Sequence, residues 1–333
     1  MSEITLVSID TAKTVFQVVC WDGEGEVVVQ RRLGRGALSR FMERQAPTRV
    51  VMEACGGAHH WGRVFQSQGH RVQLLAAKFV QPYRRGQKND YQDALAIGLA
   101  ARSGQLRYVG VKSAEQQAVE GLHRLRSGTQ QQCVALGNRL RGLLAEHGQV
   151  FGQGPAALRR GVRQVLAEGS LPAVLAAAVG EQLQELERLA EQVQRQQQRI
   201  ESTLRACPAG QALQRELSGV GPLTASALVC KVADPRSYAN GRQFAAALGL
   251  VPRQHSSGGR TKLGGLSKTG DRYVRMLLIH GARAVLRHLG QKQDAQSLWL
   301  RGLVARRGFN VACVALAHRN ARQAWAVLVK HTG

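Results

Sequence analysis

The sequence predicts a mixed α/β domain over its first third, followed by a long and almost wholly helical remainder. Three observations lead there. Short apolar runs alternate with amphipathic stretches up to about residue 103, as in a sheet flanked by helices. Asp22-Gly23-Glu24-Gly25 supplies turn chemistry between two of those runs, so the sheet begins with hairpin-linked strands. Beyond about residue 114 the apolar residues recur every three to four positions.

Ile4 to Ile9 is a nearly continuous apolar run, as expected of a strand buried on both faces. Val15 to Trp21 reads as a second strand, and Glu26 to Leu33 as a third, more polar one at a sheet edge. Gly36 to Gln45 reads as a helix, Arg49 to Ala54 as a strand, Ala58 to Gln68 as a helix and Arg71 to Ala76 as a strand. Tyr91 to Ser103, rich in Ala and Leu, closes the series as a helix. This order of elements is that of the ribonuclease-H-like fold, a mixed sheet with helices on its faces.

The middle, about 114 to 206, reads as helical. Leu183, Leu186, Leu189, Val193, Ile200 and Leu204 form a stripe, interrupted at Gln196 and Gln197, that suits a long helix in a hairpin or coiled coil. A Gly- and Pro-rich stretch from Gly148 to Pro155 separates two such helices. An antiparallel spacer and an oligomerisation arm fit the pattern equally. From Gln211 onward, Ser218-Gly219-Val220-Gly221-Pro222 lies between two helical patterns, the signature of a helix-hairpin-helix. The backbone N–H groups at Gly219 and Gly221 and the helix that follows can hold a DNA phosphate without reading bases; the plainer reading is a tight interhelical turn. A Gly/Ser-rich loop follows, from Pro252 to Lys262, leading through Ser267-Lys268-Thr269-Gly270-Asp271-Arg272 into a helix from Tyr273 to Leu289; Phe309 to Val329 is also helical.

Forty-six Lys and Arg stand against 22 Asp and Glu, a formal net charge of +24. An excess of that size favours a polyanionic partner. A membrane is the weaker candidate, since no segment approaches 18 consecutive apolar residues and neither end carries a lipidation signal. Met1-Ser2-Glu3-Ile4 leads almost directly into a strand without a signal peptide, so a cytoplasmic protein is expected. Cys20, Cys55, Cys133, Cys207, Cys230 and Cys313 form no C-x-x-C pair. Neither a zinc site nor a disulfide framework is indicated, and all six read as small buried apolar residues.

The chemistry-bearing residues are acidic. Asp10 and Glu53 each end an apolar strand, where a mixed sheet of this kind builds its site. Asp90 and Asp93 stand three apart at the start of a helix and share a face. Four carboxylates converging in this way repel one another unless cations are present. Their hard oxygens suit Mg²⁺, or Mn²⁺ in its place, and a two-metal site would polarise a phosphodiester and activate the attacking oxygen. A second candidate is Ser257, between Arg253 and Arg260 with Lys262 and Lys268 close in sequence. Those cations would stabilise charge on a phosphate attacked by a serine oxygen. Ser256 is an alternative hydroxyl, and a plain Gly/Ser linker is an alternative reading of the loop. His59 and His60 belong to the helix after Glu53, and His255 to the serine loop.

Val7-Ser8-Ile9-Asp10-Thr11-Ala12-Lys13, Met52-Glu53-Ala54 and Asp90-Tyr91-Gln92-Asp93-Ala94 resemble the Asp-Glu-Asp-Asp tetrad of insertion-sequence transposases related to the Piv DNA invertases. Ser218-Gly219-Val220-Gly221-Pro222, Gly249-Leu250-Val251-Pro252, Ser257-Gly258 and Ser267-Lys268-Thr269-Gly270-Asp271 resemble that family's second domain. The resemblance spans nearly the whole chain. It implies a RuvC-like metal-binding domain over 1–107, a helical coiled-coil spacer over 108–206, and a transposase domain over 207–333 with the helix-hairpin-helix and a serine loop. It implies Mg²⁺ on Asp10, Glu53, Asp90 and Asp93, and Ser257 as the nucleophile of a covalent phosphoserine link to DNA. Gly219, Gly221, Arg253, Arg260, Lys262, Lys268 and Arg272 would contact nucleic acid. It also implies dimers or tetramers with sites composed from different subunits, and a structured bridge RNA pairing with donor and target DNA. The departures are Gln87-Lys88-Asn89 before Asp90, where many relatives have Lys-Thr, and Cys55-Gly56 in place of Thr-Gly. Two other readings stand beside this one. A Holliday-junction nuclease would use the acidic tetrad alone, and a non-catalytic nucleic-acid-binding protein would use neither group. An actin-like ATPase ranks last, because the Asp10-Thr11-Ala12-Lys13 turn has no glycine for a phosphate loop.

Overall fold

A computed structural model describes residues 3–84, 89–104 and 106–332. Met1 and Ser2, and Gln87 and Lys88 of the departure before Asp90, lie outside the described residues. The N-terminal elements are β1 (Leu6–Thr11), β2 (Val15–Trp21), β3 (Val27–Gly34), α1 (Arg35–Glu43), β4 (Arg49–Glu53), α2 (Ala58–Ser67), β5 (Arg71–Leu75), α3 (Ala77–Val80), a 3₁₀ turn (Gln81–Tyr83), α4 (Asp90–Arg102) and β6 (Tyr108–Val109). They build one six-stranded sheet in the order β3-β2-β1-β4-β5-β6. β1, β2 and β3 are antiparallel neighbours, β4 and β5 run parallel to β1, and β6 closes the far edge antiparallel to β5. The polar third strand is the other edge, as its composition indicates. The sixth strand and the short α3 carry too few residues to register as periodic patterns.

Strand alternation divides the core in two. Val7, Ile9, Phe16 and Val18 face Leu38, Met42 and Phe65 of α1 and α2. Leu6, Val19, Trp21 and Val51 face Ala94, Ile97 and Ala101 of α4 on the other side. α4 lies close to the sheet because its facing residues are small. A Cβ at Gly98 would come within 2.4 Å of the Trp21 ring, so glycine is required there. The close approach holds the N-terminus of α4 over the ends of β1 and β4.

The middle consists of α5 (Ala114–Ala145), α6 (Pro155–Glu168) and α7 (Ala173–Arg205). Ser113 opens α5 with a capping box, its hydroxyl accepting from Gln116 N while the Gln116 side chain accepts from Ser113 N. Leu136, Leu140 and Leu144 pack against Val162, Leu183 and Leu186. Gln196 does not interrupt the α7 stripe: it is buried within it, its Oε1 without a partner among the described residues.

The C-terminal part holds α8 (Pro208–Glu216), α9 (Pro222–Lys231), a 3₁₀ turn (Pro235–Ser237), α10 (Gly241–Ala247), β7 (Pro252–Ser257), β8 (Arg260–Leu266), α11 (Arg272–Arg287), α12 (Ala295–Arg307) and α13 (Phe309–Lys330). Leu213, Leu228, Phe244, Leu278 and Leu316 anchor its core. One expectation is corrected here. The Pro252–Lys262 stretch is not a flexible Gly/Ser loop but most of a two-stranded antiparallel hairpin. Gly258 and Gly259, at φ +54° and +74°, form the two-residue turn that such hairpins require. Every residue of β7 is exposed, so no inside-outside alternation marks it in the sequence. Among the described residues no helix is long and apolar enough to cross a membrane.

Candidate active site

The parallel register sets Ile9 beside Met52. Both turn their side chains to the α1/α2 face. The next residue along each strand, Asp10 and Glu53, must therefore point to the α4 face, about 4.8 Å apart in the strand-to-strand direction. The first turn of α4 arrives over them, opened by Asn89, whose side chain accepts from Gln92 N. It brings Asp93, which is buried, and Asp90, which is exposed. Burial, reinforced by the charges of Asp93, Asp90 and Glu53 and only partly offset by Arg84, pushes the Asp10 carboxyl up to about 6. The structure thus brings all four predicted acids into one electrostatic neighbourhood.

Sequence reasoning missed the group that sits between them. Arg84 follows the 3₁₀ turn and pairs with Glu53 Oε2 at 3.0 Å and Asp93 Oδ1 at 2.7 Å. Its guanidinium supplies the positive charge that crowded carboxylates require. Among the described residues no three acids, histidines or cysteines stand in ligating distance of a common point. The donor set nevertheless fits a hard divalent cation: it is all carboxylate, and Asp10 makes no hydrogen bond or ion pair among the described residues. Cys55, where the resemblance expects Thr, is exposed rather than buried, and its Sγ lies 2.7 Å from Thr11 Oγ1. His59 is a structural acceptor, taking a hydrogen bond from Lys112 N at 3.1 Å. Burial and the adjacent Lys112 hold it at about 4, neutral at physiological pH.

Ser257 closes β7 at the hairpin tip, opposite Arg260, while His255 faces Lys262. Ser256 Oγ accepts from Gln254 Nε2 at 2.9 Å; Ser257 Oγ has no partner among the described residues. Arg253, Arg260 and Lys262 are all exposed. The two strands pack chiefly on each other, and the hairpin has no extensive contact with β1, β4 or α4. The structure does not bring Ser257 to the acidic cluster within one chain.

The hairpin's base is closely packed. A Cβ on Gly249 would lie 2.2 Å from Thr269 O, and one on Gly270 would lie 1.8 Å from Ala247 O, so the two strand exits cross with backbone against backbone. Buried Arg275 ties the crossing by donating to Leu248 O at 2.9 Å and Thr269 O at 2.7 Å. Exposed Lys268 stands in the left-handed region at φ +56°, a conformation that costs a non-glycine residue about 1–2 kcal/mol. Arg272 is exposed at the start of α11. At the helix-hairpin-helix turn, Gly219 has φ +82°, and a Cβ there would lie 2.7 Å from Gly281 O of α11. That close approach requires glycine at 219; Gly221, at the N-cap of α9, is exposed.

A largely buried charge network joins α5, α9 and the N-cap of α11 and also went unread. Glu120 of α5 binds Lys112 Nζ at 2.5 Å and Lys231 Nζ at 3.5 Å, and Lys231 reaches Asp271 Oδ2 at 2.7 Å. Asp271 also caps α11 through Val274 N. The segment leaving β6 is thereby tied to the helix that follows the hairpin.

Residues 211–298 match the model of the Transposase IS116/IS110/IS902 family, and residues 7–148 match the model of the IS110 DEDD transposases. The chain is 39% identical to the transposase for insertion sequence element IS1111A of Coxiella burnetii, over 99% of its own length and 91% of the relative's. The chain belongs to this transposase family. It is 34% identical to the transposase for insertion sequence element IS1328 of Yersinia enterocolitica, over 100% of its own length and 99% of the relative's. Identity is 47%, over 99% of this chain and 98% of the relative, with a Pseudomonas aeruginosa protein named "Probable family 20 transposase". As an IS110-family transposase the chain is a DNA-recombining enzyme, with a six-stranded α/β domain and a helical region, and membership of the DEDD group suggests use of a divalent metal.

Proposed function

We propose that this transposase cuts and exchanges DNA strands through a covalent phosphoserine formed by Ser257, with Asp10, Glu53, Asp90 and Asp93 holding Mg²⁺ (or Mn²⁺). The observation that carries the reading is Asp10: a carboxyl without a partner among the described residues, raised to about 6 among three further acids, is a group suited to a cation. When bound, the metal would supply charge neutralisation at the scissile phosphate. Arg84 would compete with the cation for Glu53 and Asp93, and its guanidinium, once displaced, can pair with a DNA phosphate.

At the hairpin, Ser257 Oγ forms a bond to phosphorus, the bond from phosphorus to the leaving sugar oxygen breaks, and that oxygen takes up a proton. Arg253, Arg260 and Lys262 offset the charge that develops on the phosphate. Attack by the hydroxyl of the second strand then releases Ser257 and completes the exchange. Because Ser257 and the acids do not meet within one chain, they would meet across subunits of a dimer or tetramer. The segments 1–107, 108–206 and 207–333 would be the metal-binding, spacer and serine-bearing units. A bridge RNA pairing with donor and target DNA fits the net charge of +24, since RNA and DNA together offer more phosphate than either alone. Gly219, Gly221, Lys268 and Arg272 would contact those backbones.

One observation favours a second reading, metal-dependent hydrolysis by the acidic site alone: the absence of extensive contact between hairpin and sheet. The test of the first reading is cleavage of labelled element-end DNA with RNA and Mg²⁺ or with EDTA. Cleavage should require the metal and disappear in Glu53→Gln and in Ser257→Ala; metal-independent cleavage, or cleavage by Ser257→Ala at the wild-type level, would overturn it.

A further inference from the structure

A groove of about 920 Å³ opens on the C-terminal body between α10, α12 and α13. Leu250, Val314, Ala315, Trp299 and Trp325 are among its lining residues. Its cations are Arg242, Arg319 and Arg322, His318 also lines it, and no lining residue is acidic. Arg319 places its guanidinium over the Trp299 ring, 5.4 Å from its centroid, so the two planes form one cation–π stack at the groove. Trp325 is fixed by donating Nε1–H to Pro235 O at 2.9 Å. Burial and the charge of Arg322 hold His318 below its ordinary value.

The occupant can be argued from charge and shape. An apolar trough would suit a helix, but this one is cationic on a strongly basic chain, so a second copy of the protein would be repelled. The matching partner is anionic and offers flat apolar faces. Unpaired nucleotides have both properties, whereas a duplex hides its base faces in the stack. The position agrees. Pro252, which lines the groove, opens β7, and Ser257 lies five residues further on, about 17 Å at the usual strand rise.

We propose that this groove holds unpaired nucleotides of a single strand beside the hairpin, with bases stacked against the Trp299–Arg319 pair and phosphates paired to Arg322. The inference rests on the DNA-directed activity of the family and not on the roles given to Asp10 or Ser257.

The experiment is fluorescence anisotropy with the full-length protein and three labelled probes: a twelve-nucleotide oligothymidylate, the matching oligouridylate, and a twelve-base-pair duplex. Trp299→Ala should weaken binding of at least one single strand on the order of tenfold, and Trp299→Phe should restore most of it, while duplex binding stays within roughly twofold. The single strand that loses more identifies the source as DNA or RNA. Arg322→Ala, at an exposed position, should act in the same direction and keeps the test valid if Trp299→Ala fails to fold. The proposal falls if these variants leave both single strands unaffected, if strand and duplex weaken equally, or if Trp299→Ala abolishes only self-association in sedimentation. A protein that cleaves no DNA but shows the expected pattern would retain this site and lose the phosphoserine reading.

Discussion

Replacing Asp10 with asparagine should make the metal-free protein more stable. The substitution keeps shape and removes a charge that the folded state disfavours. The carboxyl moves from its ordinary 3.8 to about 6 on folding, because burial and the charges of Asp93, Asp90 and Glu53 penalise ionisation more than Arg84 relieves it. A raised folded value means that Asp10 is harmless below about pH 3.8, where it is neutral in both states. It becomes a growing liability as pH rises through 6. The full penalty at pH 7.5 is about 3 kcal/mol, at roughly 1.36 kcal/mol per tenfold change in proton affinity. It falls to about 1.6 kcal/mol at pH 5 and about 0.6 kcal/mol at pH 4. Asparagine does not titrate and escapes it. Urea unfolding in EDTA at those three pH values should show the variant ahead of wild type by margins that shrink in that order. Saturating Mg²⁺ should then stabilise wild type and not the variant, reversing the comparison at pH 7.5. A variant less stable than wild type in EDTA at pH 7.5 would refute the claim that burial and the neighbouring acids penalise Asp10 by more than Arg84 relieves.

Glu120→Gln should act in the opposite direction. Burial raises the Glu120 carboxyl, but the hydrogen bond and charge of Lys112, with Arg124 and Lys231, overcome it and bring the group from 4.5 to about 2. A depressed folded value contributes stability above about pH 4.5 that is lost as pH falls toward 2. The variant should therefore lose about 3 kcal/mol at pH 7, a deficit that narrows by about 1.4 kcal/mol by pH 3.5; a deficit independent of pH would contradict this. Arg84→Ala should tighten Mn²⁺ binding measured by calorimetry by about tenfold, on the order of 1.4 kcal/mol, since a competing cation is removed; unchanged or weaker binding would show that Arg84 supports the metal site instead.

What could be read from the sequence was local. Asp10 and Glu53 are identifiable because each ends an apolar run, and strand alternation together with parallel pairing then sends both to the same face. Asp90 and Asp93 are identifiable because they open a helix with a clear apolar pattern. The hairpin was not identifiable, because a strand exposed on both faces has no alternation, and Gly258-Gly259 reads equally as linker or turn. Arg84 carries no pattern of its own: one arginine among 46 basic residues gives no sign that it will neutralise acids from two different elements. The Glu120–Lys231 contact spans 111 residues, and long-range pairing of charges on helices otherwise taken as spacers has no local signal. The glycines at 249 and 270 are visible as residues, but their reason, two backbones in contact, belongs to the tertiary structure.

The central claim is that a serine on the hairpin and a metal on the sheet act in one reaction. The most direct measurement incubates wild type, Ser257→Ala and Asp10→Asn with the RNA encoded beside the element, end-labelled donor and target DNA, and Mg²⁺, and resolves the products on a denaturing protein gel. The account predicts a labelled protein–DNA adduct with wild type that is absent from both variants. Cleaved DNA without an adduct, with Ser257→Ala cleaving as well as wild type, would contradict it and leave a metal-dependent nuclease in which Ser257 has no chemical part.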